Sequence, residues 1–185
     1  MRLNAIYILI AFISLASCKG PEARRPIQQS SGSFYKESAA RNSKLYESEK
    51  VRITTLMEND PNTIYLSSDS GFWYYYNVQD TLSQTTPEVG DAVRFTYDIK
   101  DLAGNTILSE TETGIQNYKI DQSNQELISG LRDGLKLMKE GETVTFLFPS
   151  YKAFGYYGIE NKLGTNVPVQ STVTLDTIIP SKDNQ

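Results

Sequence analysis

Past residue 62, a single stretch of this chain reads as helix, and everything around it reads as strand or turn. The helix starts in residues 126–131, where Leu127, Ile128, Leu131 and Leu135 share one face at i, i+1, i+4 and i+8. Gly130 and Gly134 each weaken it by roughly 1 kcal/mol relative to alanine, so it is short and survives only if packed. Strands are predicted at residues 63–66, 72–76, 92–99, 106–109, 118–120, 143–148 and 172–179. Turn residues separate them at 67–71 and 101–105, and a long glycine-containing loop covers 150–168. Many short strands with one amphipathic helix predict an α+β domain, the helix laid on a sheet.

Residues 34–60 lack both Gly and Pro and carry Tyr35, Ala39, Tyr46, Ile53 and Met57 at roughly helical spacing. Leu45 and Leu56 widen that stripe, Ser33 is placed to cap it, and Asn59-Asp60-Pro61-Asn62 stops it. The expected role is packing on its own domain, with docking or dimerisation as the other reading. Phe72-Trp73-Tyr74-Tyr75-Tyr76 favours a strand, since aromatic rings fit a pleated surface. It places Phe72, Tyr74 and Tyr76 on one face and Trp73 and Tyr75 on the other. Residues 80–89 are polar, contain Pro87 and read as a linker.

The N-terminus has the form of an export signal: Arg2, an apolar run over residues 5–16 broken only by Ser14, then Leu15-Ala16-Ser17-Cys18. A run of about 12 residues suits a signal core and is too short for the ~20 that span a bilayer. The Leu-Ala-Ser-Cys ending resembles a lipobox, which implies cleavage after residue 17 and a lipid on Cys18. Residues 18–33 then form a flexible tether, rich in Ser, Gln and Pro. Residues 34–86 are a helix-plus-hairpin extension, 87–180 the main domain and 181–185 a tail. Cys18 is the one cysteine, so no disulfide forms within the chain. There is no histidine. Ser-His and Cys-His nucleophiles are thereby excluded, and so are the usual metal centres; neither metal nor cofactor is expected. A net charge of −4 without a basic run argues against nucleic acid.

Residues 90–179 resemble the FKBP family of peptidyl-prolyl isomerases. The resemblance rests on Gly90-Asp91 with Phe-Thr-Tyr ending at Tyr97, and on Gly-Asn-Thr-Ile ending at Ile107. It continues in Glu-Leu-Ile-Ser-Gly-Leu-Arg-Asp-Gly-Leu from Glu126, Met-Lys-Glu-Gly-Glu from Met138, Ala-Phe-Gly from Ala153, Val-Pro-Val and Thr-Val-Thr-Leu-Asp. It implies an antiparallel sheet wrapped around one short helix, and an apolar pocket for proline. Carried onto this chain, the catalytic positions are Tyr97, Ile128 (through its backbone N–H) and Phe154. The binding positions are Ile107, Leu108, Tyr118, Leu127, the floor residue Leu131, and Val167 and Leu175 at the rim.

Three positions depart from the family pattern. Leu108 stands where an aspartate is usual, with Glu110 the nearest acid; Leu131 replaces a tryptophan; Phe154 lacks the usual tyrosine hydroxyl. The pocket keeps its apolar walls and loses two polar handles. The resemblance implies an isomerase acting on proline-containing polypeptide clients and anchored to the membrane on the periplasmic side through an N-terminal lipid. Lipobox, helix and aromatic hairpin together resemble the gliding-motility lipoproteins of that family. Two other readings are a non-catalytic proline-binding chaperone of the cell envelope, and an adhesion or assembly lipoprotein.

Overall fold

A computed structural model describes residues 32–122 and 127–181, with side chains from Tyr35 onward. The export signal, Cys18, nearly all of the tether, Glu126 and the tail beyond residue 181 lie outside the described residues. The chain forms two units, Met1–Ala39 and Ala40–Gln185. Only the opening of the first helix, α1 (Gly32–Glu58), is described in the first unit. Gly32 and Ser33 are already helical, so Ser33 is not the cap.

The second unit is built on one antiparallel sheet. Its strands are β1 (Leu66–Ser68), β2 (Phe72–Val78), β3 (Ala92–Tyr97), β4 (Ile99–Asp101), β5 (Thr106–Leu108), β6 (Gln116–Lys119), β7 (Thr143–Phe148) and β8 (Val169–Ile179). The spatial order is β1-β2-β7-β8-β3-β6, with β4 pairing both β8 and β5. Three further helical turns join them: α2 (Glu110–Thr113), α3 (Ser129–Leu135) and a 3-10 turn at Ser150–Lys152.

The aromatic run is β2, and it is continuous with the main sheet: Trp73 pairs with Leu147, Tyr74 with Phe146 and Tyr75 with Thr145. The alternation assigns its faces as expected. Phe72 is buried among Phe146 and Phe148 at ring distances of 5.8 and 5.3 Å, and Tyr74 and Tyr76 pack beside it. Tyr75 points the other way and meets Tyr65 edge-on at 5.2 Å. On that outer side Ile53 of α1 and Leu147 of β7 are both fully buried, yet neither belongs to the central cluster. From Ala40 onward α1 therefore packs on its own domain as a second, smaller layer. Glu49 of α1 accepts from the Ser150 N–H at 2.8 Å, and Tyr46 meets Tyr151 edge-on at 5.5 Å.

The other face holds the main core. Leu131 and Leu135 of α3 lie under Phe146 and Phe148, whose rings stack at 5.4 Å. The two helix glycines have a reason to be there. A Cβ on Gly130 would sit 2.6 Å from the Phe148 ring, and one on Gly134 2.9 Å from Phe146. The helix lies so close to the sheet that only hydrogen fits.

Several elements differ from the sequence reading. β1 starts at Leu66 because the stop after α1 extends further: the Thr63 N–H donates to Asp60 O, and the Tyr65 hydroxyl bonds the Asp60 carboxylate at 3.1 Å. The strand expected over 92–99 breaks at Asp98. There the Asp98 carboxylate accepts from the Thr172 N–H at 2.8 Å and its carbonyl from the Ser171 hydroxyl at 2.6 Å. A side chain thus replaces a rung of the ladder, and β4 leaves in a new register. β8 begins three residues early, at Val169, because Gln170 and Val169 pair with β4 as well as β7. The strand expected over 118–120 is centred earlier, at Gln116–Lys119. Helix α3 starts at Ser129 rather than Glu126, since Ile128 is extended (φ −57, ψ 147).

Candidate active site

Ile128 is the N-cap of α3 and has no side-chain cap. Among the described residues nothing accepts from its backbone N–H. The first N–H groups of any helix lack internal partners, and here one of them stands at the edge of an apolar cluster.

That cluster gathers nine of the ten residues named above. Tyr118, Leu127, Leu131 and Leu175 are buried members; Tyr97, Ile107, Leu108, Ile128 and Phe154 are half-buried and pack against them. Val167 is half-buried and outside the cluster. The arrangement is a floor with a partly open rim. Tyr97 ends β3 and tilts against Phe95 at 6.0 Å. Ile107 and Leu108 come from β5, and Phe154 follows the 3-10 turn. That turn is fastened to α3 by Lys152, which pairs with Asp133 at 2.8 Å, and by the Ser129 hydroxyl, which donates to Lys152 O at 3.3 Å.

Two expected roles change. Leu175 is fully buried and cannot form a rim: it lies mid-strand in β8, opposite Phe95 of β3, so the sheet covers it. Tyr118, expected as a binding position, is buried in the floor, at 6% exposure, because β6 turns Gln116 and Tyr118 inward. Its hydroxyl is buried without a hydrogen-bond partner among the described residues. Removing an unsatisfied buried group is favourable, so Tyr118→Phe is expected to raise stability by about 1 kcal/mol in urea unfolding. A loss of stability would show that the hydroxyl has a partner.

Burial is the cause that pushes the Tyr97 phenol above its ordinary range, so it stays a neutral hydroxyl at any physiological pH. The cluster itself contributes no carboxylate. Asp98, the acid next to Tyr97, is engaged elsewhere: it holds Thr172 and pairs with Lys100 at 2.6 Å.

The reading of the sequence missed α2, which follows Leu108 directly. Its signal was present, since Ser109-x-x-Glu112 is a capping box. The Thr113 hydroxyl donates to Tyr97 O at 2.6 Å, tying this turn to β3. Glu112 also takes Lys162 of the long loop at 2.6 Å, joining two segments beside the cluster. The Lys162 bond, then the Ser109 N–H and hydroxyl, hold the Glu112 carboxyl down to about 2 from its ordinary 4.5. With the folded pKa depressed, this link is intact above about pH 4.5 and is lost as pH falls through about 2. A carbon-detected NMR titration should place the Glu112 midpoint near 2, and Lys162→Met should raise it. An unchanged midpoint in that variant would dismiss the loop contact.

A half-exposed apolar cluster at a helix start, with a backbone N–H that has no partner among the described residues, suits a reaction driven by desolvation and positioning. The comparisons agree. The family described as FKBP-type peptidyl-prolyl cis-trans isomerase matches residues 83–177. A peptidyl-prolyl cis-trans isomerase from Pseudomonas syringae pv. tomato superposes with a TM-score of 0.57 at 18% identity, over 75% of this chain and 96% of that one. FkpA from Escherichia coli superposes with a TM-score of 0.54 at 19% identity, over 97% of this chain and 83% of that one. These two support the fold. The chain belongs to the FKBP-type peptidyl-prolyl cis-trans isomerases, and is an enzyme of that class.

Proposed function

We propose that the chain is an envelope-anchored isomerase that speeds prolyl exchange in exported polypeptides. The observation that supports the site assignment is the Ile128 N–H, without a partner among the described residues, beside the half-open apolar cluster. Rotation about a peptide bond faces ~18–20 kcal/mol because C–N resonance must be broken. The twisted amide has lost that resonance and carries a less polar carbonyl. Water favours the planar form, so a water-poor site favours the twisted one by comparison. In this reading the prolyl ring sits over Leu131 between Tyr97, Ile107 and Phe154, and the Ile128 N–H donates to the neighbouring carbonyl. A differential of roughly 4 kcal/mol gives about a thousandfold. Leu108 and Phe154 supply no polar contact, which predicts a modest rate for the family.

The Cys18 lipid, the envelope location and a role like that of the gliding-motility lipoprotein isomerase GldI rest on the sequence pattern. No helix among the described residues is long and apolar enough to cross a membrane, so attachment would fall to the lipid. Cis–trans exchange of a prolyl tetrapeptide tests the catalysis; a rate equal to the spontaneous one would leave a proline-binding chaperone. Mass spectrometry of the expressed chain tests the anchor, since Cys18→Ala should remove an acyl-sized mass and release the protein from membranes.

A further inference from the structure

The cavity with the clearest ligand chemistry lies between α1 and the loop that follows β7, outside the prolyl cluster. It measures about 500 Å³, within the range of ligand sites, and its lining includes Leu45, Tyr46, Glu49, Tyr151, Tyr156 and Asn166. Glu49 is 2% exposed. One of its oxygens accepts from the Ser150 N–H at 2.8 Å. The other, Oε1, is buried and has no partner among the described residues. An acceptor left in that state is costly, and Glu49 lines the cavity together with three tyrosines. The chemistry that satisfies a buried carboxylate oxygen among aromatic rings is a cationic donor.

We propose that this groove holds a lysine or arginine side chain of a polypeptide bound by the isomerase. The choice of a polypeptide rests on the proposed function; the choice of a cation rests on Glu49 alone. The loop contributes to both sites: Phe154 packs at the prolyl cluster and the adjoining Gly155 and Tyr156 line this groove. A client segment can therefore present a proline to one side of the loop and a basic residue to the other. Tyr156, at 75% exposure, stands at the open edge.

The test uses the full chain in detergent and two fluorescent nine-residue peptides of Gly, Ser and Ala. One has a central lysine, the other norleucine. The lysine peptide is expected to bind at least tenfold tighter by anisotropy. Glu49→Gln keeps an acceptor for Ser150 and should erase that preference, leaving the exchange rate of a neutral prolyl tetrapeptide unchanged. Should Glu49→Gln fail to fold, Tyr156→Ala is expected to weaken the lysine peptide at least threefold. Equal binding of the two peptides, or a preference that survives the substitution, overturns the proposal. So does absence of binding. Loss of prolyl exchange with the lysine preference intact would strike the proposed function and spare this site.

Discussion

Ile128→Pro is expected to lower kcat/KM for a prolyl tetrapeptide by about tenfold, while Ile128→Ala lowers it only about threefold. The two changes separate the backbone from the side chain. Proline removes the N–H and fixes φ near −65°, and Ile128 already sits at φ −57. The N–H has no partner to lose among the described residues, so the fold tolerates the exchange. A hydrogen bond to the substrate carbonyl is worth roughly 1–1.5 kcal/mol net, which is about five- to tenfold in rate. Alanine keeps that donor and trims only a half-buried side chain. If alanine proves the more damaging of the two, Ile128 acts through packing and the N–H assignment fails.

Gly130→Ala is expected to destabilise the domain by about 1–2 kcal/mol, and Gly130→Val by about 3 or more. The added carbon would lie 2.6 Å from the Phe148 ring and 2.9 Å from Lys152 O. Phe148 is fully buried and stacked on Phe146, so it has nowhere to swing. Alanine recovers up to about 1 kcal/mol of helix propensity, which keeps the net loss moderate. The urea midpoint measures it. A stabilised alanine variant would mean that α3 slides along the sheet without penalty.

The same glycine shows how far the sequence could be read. Its position in an amphipathic pattern disclosed the helix, and its cost in propensity was visible. The contact that repays the cost was not, because Phe148 is 18 residues away and meets it only in the folded sheet. β7 was legible from end to end: β-branched and aromatic residues, with Leu147 among them, run between turn residues. β3 was not, because Asp98 ends it through bonds to Thr172 and Ser171, and a bond across 74 residues leaves no local pattern. Nine site residues converge because the family resemblance supplied their order along the chain. Which of them are floor and which rim depends on strand neighbours, and Leu175 shows that spacing alone does not reveal them. The capping box at Ser109 was a local signal that went unread.

β8 has one consequence for how the chain is made. It sits in the middle of the sheet, bonded to β7 along one edge and to β3 and β4 along the other. Every one of those neighbours is synthesised first. The two halves of the sheet are therefore joined only when the strand at 169–179 arrives. Such an order of assembly delays closure of the sheet until its central strand is in place.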